Sequence, residues 1–150
     1  MREIHTEIEI AAGKDAVWSV LTDFAAYPDW NPFLHTVAAE LHPGAAVAMT
    51  IVVGTRTFEG DARMLRVVPE REMRWAGPIS RLKGIVFRGE HYFMLEELAP
   101  GRVRLLHGEH FGGLSLPLIG GWMGRTLAPA YVAMNVALKR RAETAIAAAR

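Results

Sequence analysis

The sequence predicts an α+β protein in which a curved, seven-stranded antiparallel sheet wraps around a long C-terminal helix, with two short helices after the first strand. Three observations carry that expectation. Residues 3–10 alternate with a period of two; six further strand-like runs follow, separated mostly by short turns; and past the glycine-rich passage Phe111 to Gly124 the apolar period lengthens to 3.6.

The first strand places Ile4, Thr6, Ile8 and Ile10 on one face and Glu3, His5, Glu7 and Glu9 on the other, the pattern of a half-buried strand. Ala11 to Asp15 breaks the period, and Ala16 to Leu21 reads as a helix with Val17, Val20 and Leu21 on one side and Asp15 as its cap. The segment from Val17 to Phe33 then holds Trp18, Phe24, Tyr27, Trp30 and Phe33, while Pro28 and Pro32 forbid one continuous helix. Its aromatics are expected to anchor the short helices, with Trp30 and Phe33 reaching the mouth of a cavity.

Strands are expected at 36–42, 45–54, 57–68, 71–76, 85–98 and 102–112, punctuated by His42-Pro43-Gly44, Gly54-Thr55-Arg56, Pro69-Glu70 and Ala99-Pro100-Gly101. Connections this short favour a meander of antiparallel neighbours. Gly77 to Gly84 and Gly112 to Gly121 read as loops. In the last segment Leu127, Tyr131, Met134, Leu138, Ala142, Ala145 and Ala149 fall in one helical stripe, and Pro129 predicts a kink or a helix that starts beside it. No repeat or linker divides the chain, so residues 1–150 are expected to form one domain.

Composition narrows the function. A chain of 150 residues that is 51% hydrophobic can bury a core without staples, and the lack of cysteine excludes disulfides, thiolate metal sites and cysteine nucleophiles. Seventeen basic against sixteen acidic residues give a formal charge of +1, with no dominant field for nucleic acid or anionic lipid. The residues after Met1 lack the pattern of a signal peptide, and no apolar run reaches the roughly 20 residues of a spanning helix. A cytoplasmic monomer or homodimer with no integral membrane segment is the expectation.

A bent sheet cannot bring every inward residue against one helix, and the gap between them is a natural small-molecule cavity. Met49, Phe58, Met64, Trp75, Phe93 and Phe111 from the strands and Leu127, Tyr131 and Met134 from the helix are its expected lining. Asn135 borders the helix stripe and offers an amide to a ligand carbonyl or to a neighbouring strand. If Ala99-Pro100-Gly101 closes a hairpin, Leu95 faces Leu105, Phe93 faces His107 and His91 faces Glu109. A histidine beside a carboxylate in a partly dry cavity can trade protons near neutral pH, which makes His91, Glu109 and His107 the candidate acid/base group. The same residues can equally satisfy one another as a buried polar network. His107-Gly108-Glu109-His110 does not read as a metal site, because on a strand His110 points away from the other two; no metal or other cofactor is implied. Ser19, Ser80 and Ser115 are the only serines, and none stands in a nucleophile elbow.

Four segments carry a resemblance over essentially the whole chain: Val17-Trp18-Ser19-Val20-Leu21-Thr22-Asp23-Phe24 through Tyr27-Pro28-Asp29-Trp30-Asn31-Pro32-Phe33; Gly89-Glu90-His91-Tyr92-Phe93; His107-Gly108-Glu109-His110-Phe111-Gly112-Gly113-Leu114; and Met134-Asn135-Val136-Ala137-Leu138-Lys139. The sequence resembles the SRPBCC superfamily of START-related helix-grip proteins, most nearly its polyketide cyclase/dehydrase-like and carbon-monoxide-dehydrogenase-subunit-G-like branches. The resemblance implies a helix-grip fold with a cavity between the concave sheet and the last helix, its entrance bordered by loops. It leaves three functions open: binding of a hydrophobic, lipid- or polyketide-like molecule; a cyclase or dehydratase using the histidine and glutamate pair; or a chaperone-like interaction domain.

Overall fold

The computed structural model describes residues 2–150. Strands β1 (Arg2–Ile10), β2 (Leu34–Ala39), β3 (Ala46–Val53), β4 (Arg56–Val68), β5 (Glu72–Gly77), β6 (Arg88–Ala99) and β7 (Arg102–Gly112) form one sheet in the order β1-β7-β6-β5-β4-β3-β2. Every neighbouring pair is antiparallel. The meander from β2 to β7 follows from its short turns, and β1 closes on β7 with Ile8 opposite Leu105 and Ile10 opposite Val103. Helices α1 (Lys14–Thr22) and α2 (Tyr27–Trp30) connect β1 to β2, α3 (Arg81–Val86) lies between β5 and β6, and α4 (Leu116–Ala148) ends the chain. This is the expected helix-grip architecture. Its core lies between the concave face and the helices, where Ile10, Val17, Leu21, Met73, Leu105, Tyr131, Leu138 and Ala142 have no exposed surface. Among the described residues no helix is long and apolar enough to cross a membrane.

The aromatic segment is a brace. Tyr27 is fully buried, donates its hydroxyl to the Leu21 carbonyl at 2.6 Å, and packs edge-on against Phe24 and Trp30 with ring centroids 5.4 and 5.1 Å away. Asn31 Oδ1 accepts from the backbone N–H of Phe33 and of Leu34, 3.0 Å each, and so turns the chain into β2.

Several local expectations are corrected. α1 begins behind Gly13 with no side-chain cap, and Asp15 sits inside the first turn, where its charge still favours the helix N-terminus. β2 covers 34–39 rather than 36–42. The strand expected from residue 85 starts at Arg88, because Arg81–Val86 coils into α3 behind Ser80, whose Oγ accepts from Lys83 N–H at 3.4 Å. α4 starts at Leu116 and runs through Pro129, so Gly120 and Gly121 are helical. A Cβ on Gly120 would meet Arg2 Cδ at 2.7 Å, so glycine there leaves room for the Arg2 side chain to lie against α4. Ala145 and Ala149 are exposed, and Ile146 packs on the core instead.

Candidate functional site

Register assembles the site. His91 stands opposite Glu109, and Phe93 opposite His107, across β6 and β7; Trp75 of β5 stands opposite His91. Strand alternation turns all of these to the concave face, and α4 lays Tyr131 and Asn135, one helical turn apart, across it. The hairpin closes through Pro100-Gly101 with Ala99 opposite Arg102, so Leu98 is bulged out while the inner register is the expected one. His91 lies face to face between Trp75 and Tyr131, at 5.0 and 5.3 Å between centroids. His107 stacks on Phe93 at 4.4 Å and tilts against Tyr131 at 4.7 Å.

A chain of hydrogen bonds fixes where the protons sit. Thr6 on β1 donates its hydroxyl to the His107 carbonyl at 2.7 Å, so its oxygen must accept from Asn135 Nδ2, 2.8 Å away. That orients the amide. Asn135 Oδ1 therefore faces His107 Nδ1 at 2.6 Å, and the nitrogen must carry the proton it donates. Burial, reinforced by the neighbouring His91, holds the His107 pKa well below its usual 6.5, so the ring is neutral and its Nε2 has only a lone pair. His91 Nε2, 2.9 Å away, is then the donor, which leaves the lone pair of neutral His91 on Nδ1.

That lone pair points at Glu109 and Tyr131. His91 Nδ1 lies 3.5 Å from Glu109 Oε2 and 3.5 Å from the Tyr131 hydroxyl, which donates to the same carboxylate oxygen. Burial and the Glu109 charge push the Tyr131 pKa well above 10, so its proton stays on. One hydroxyl proton thus serves two acceptors, an imidazole nitrogen and a carboxylate. Protonating His91 would convert the arrangement into an ion pair. Room for the carboxylate comes from Gly89 on the adjacent strand, where a Cβ would collide with Glu109 Oε1.

Glu109 and His91 form the inner wall of a cavity of about 350 Å³ that Phe33, Met49, Ile51, Trp75 and Phe87 line with apolar surface. Gly77, Pro78 and Lys83 border it together with Glu59 and Asp61, the last of these beside Gly77 on the neighbouring strand. It lies under α3 rather than along α4, because Phe33, packed 4.7 Å from Tyr131, fills the space in front of the long helix. Of the residues read from sequence, Phe33, Met49, Trp75, His91 and Glu109 are brought to this wall. Met64, Phe93, Phe111, Met134, Tyr131, Asn135 and His107 are buried behind it, and Leu127 is half-buried against the core. Trp30 faces a separate groove between α2 and α4 with Arg140 and Arg141. Phe58 has the inward parity of β4 but is 43% exposed near the β3–β4 turn.

Sequence reading missed Thr6, Gly89 and Lys83. Thr6 had a signal, being the one hydroxyl among the inward isoleucines of β1. Gly89 followed from register, since it shares a face with His91. Lys83 was hidden by the unrecognised α3.

A family model described as polyketide cyclase / dehydrase and lipid transport matches residues 1–143. Among solved structures, the chain is similar to the Zhui aromatase/cyclase from Streptomyces sp. R1128, with a TM-score of 0.78 and 21% identity over 99% of this chain and 97% of that one. A START superfamily protein from Mycobacterium smegmatis superposes with a TM-score of 0.76 at 17% identity, covering 95% and 98% of the two chains. Norcoclaurine synthase from Thalictrum flavum, in complex with dopamine and hydroxybenzaldehyde, gives 0.68 at 16% identity over 93% of this chain and 84% of that one. At such identities the likeness is one of fold. No curated protein matches the chain in sequence.

Proposed function

The chain belongs to the polyketide cyclase/dehydrase and lipid transport family, and from that premise we propose that it encloses a flat aromatic or polyketide-like molecule in the cavity under α3, with a hydroxyl or enol of the ligand directed at His91 and Glu109. The observation that carries the reading is the shortage of protons at that wall: His91 Nδ1 and Glu109 share the single proton of Tyr131. A ligand O–H supplies the missing donor, while Trp75, Met49 and Phe33 contribute apolar burial. A comparison of 2-naphthol with naphthalene tests this. The hydroxylated ring is expected to bind about tenfold more tightly, the worth of one hydrogen bond to a charged group, and Glu109→Gln should remove most of that preference. Absence of saturable binding by either compound, together with no copurifying small molecule in native mass spectrometry, would overturn the proposal.

A second reading is favoured by the tautomer of His91. The Nδ1 lone pair, beside Glu109 at the cavity wall, would take a proton from carbon next to a ketone carbonyl; Glu109 steadies the imidazolium, and the same proton returns to a departing hydroxyl as water leaves. That is dehydration of the kind that follows a cyclising aldol step. With a β-hydroxyketone substrate, His91→Gln should lose at least about a hundredfold in kcat with the fold intact. Undiminished turnover would exclude it.

A further inference from the structure

The outer side of α3 differs from the rest of the surface. Leu82, Ile85 and Val86 on α3 and Leu114, Leu118 and Trp122 around the start of α4 are six of the twelve large apolar side chains exposed among the described residues, with Leu118 at 88%. They form one patch. Leu114 N–H donates to the Ile85 carbonyl at 3.0 Å, and Ser115 donates N–H and hydroxyl to the Val86 carbonyl at 3.0 and 2.7 Å, while Leu118 and Trp122 repeat at helical spacing.

Charge is segregated there too. Residues 77–89 and 112–127 contain Arg81, Lys83, Arg88 and Arg125 and no aspartate or glutamate. None of these four is in an ion pair among the described residues, although Lys and Arg are paired repeatedly elsewhere. A groove of about 390 Å³ beside α3, which shares Ile85 with the patch, places Arg63, Arg81 and Arg88 next to Leu65 and Ile79, again without an acidic residue in its lining.

We infer that this face docks on a bilayer containing anionic lipid, with Leu114, Leu118 and Trp122 inserted at the interface and the arginines on headgroup phosphates. Exposed aliphatic residues, a tryptophan and unpaired cations on one face suit the boundary between headgroups and acyl chains. A second copy of the chain fits less well, because a two-fold contact would set the same unpaired cations against each other. Since Pro78 and Lys83 also border the cavity, α3 stands between bilayer and cavity, and docking would place the lip of the proposed ligand site on the membrane.

Cosedimentation with vesicles of phosphatidylcholine and phosphatidylglycerol (3:1) at 0.1 M salt tests the inference, with phosphatidylcholine vesicles as the control. The full chain should pellet with the anionic vesicles at least about tenfold more strongly. The double variant Leu118→Ser/Trp122→Ser should lose about tenfold or more, and Arg81→Gln or Arg88→Gln about fivefold each. Uptake of N-phenyl-1-naphthylamine without vesicles should be unchanged in the Leu118/Trp122 variant, which separates failure of docking from failure of the cavity reading. Equal recovery with and without anionic vesicles would overturn docking, as would full binding by the variants. So would a wild-type dimer in sedimentation equilibrium that ignores vesicles and is dissolved by the Leu118/Trp122 change.

Discussion

At the residue scale, direction comes from Thr6. Its hydroxyl has one acceptor, a backbone carbonyl, and that bond decides the orientation of Asn135, then the tautomer of His107, then that of His91. Nitrogen-15 spectra of the imidazoles at pH 7.5 should therefore show His107 protonated at Nδ1 and His91 at Nε2; Thr6→Val should broaden or mix both patterns. The reverse assignment in the wild type would refute the relay. Gly89→Ala, in turn, should displace the Glu109 carboxylate and destabilise the fold by about 1–3 kcal/mol, the cost of overpacking, readable in urea denaturation and in lost 2-naphthol preference. Alternation along β6 and β7, joined by a tight hairpin, is enough to place His91 opposite Glu109 from the sequence. The contact between His91 and His107 is not legible in the same way because it is diagonal, joining residues two places out of register on neighbouring strands.

At the scale of elements, α4 is held to the end of β1 by a small clamp. Glu143 Oε1 accepts from Ala11 N–H at 2.8 Å and from Lys139 Nζ at 2.6 Å, and Lys139 donates to the Glu9 carbonyl at 2.8 Å. The Lys139 hydrogen bond, with help from Ala11 N–H, holds the Glu143 pKa below its usual 4.5. Its stabilisation is thus present above about pH 4.5 and fades as acid protonates the carboxylate. Glu143→Gln should cost about 1 kcal/mol or less at pH 7, given the exposure of the pair, and nothing further at pH 3; an equal loss at both pH values would contradict this account. Period and punctuation made the sheet order legible, but two helical stretches were hidden. Ile85-Val86-Phe87 looked like strand because β-branched and aromatic residues favour it, while the bond from Lys83 N–H to Ser80 coiled the segment. Gly120 and Gly121 looked like loop, and what Gly120 does, making room for the Arg2 side chain against the helix, is visible only when β1 and α4 are seen together.

For the whole molecule, a net charge of +1 concealed an arrangement: Arg81, Lys83, Arg88 and Arg125, in no ion pair among the described residues, collect around α3 and the start of α4, while Glu9, Glu72 and Glu90 hold arginines elsewhere. Composition averages over position and could not show it. Stability should also depend on pH through the interior. His107 is neutral when folded, its pKa lowered by burial, so the unfolded chain takes up a proton that the native one refuses. Stability is then fully present above about pH 6.5 and declines as pH falls toward the folded pKa, by up to about 1.4 kcal/mol per pH unit. His42, raised by the Pro43 carbonyl and Glu40, works in the opposite sense, so the measurement belongs in a His42→Ala background. Urea midpoints that stay level from pH 7 to 5.5 in that background would disprove a neutral buried His107. Finally, Thr6 and Asn135 lie 129 positions apart, on the first strand and the last helix. A chain emerging during synthesis can complete the strands around the cavity while Asn135 is still to come, so the pocket takes shape before its histidines have a defined polarity. The oriented histidine pair therefore reports that β1 and α4 have been joined, and a partly folded chain holds the cavity without its proton-directed wall.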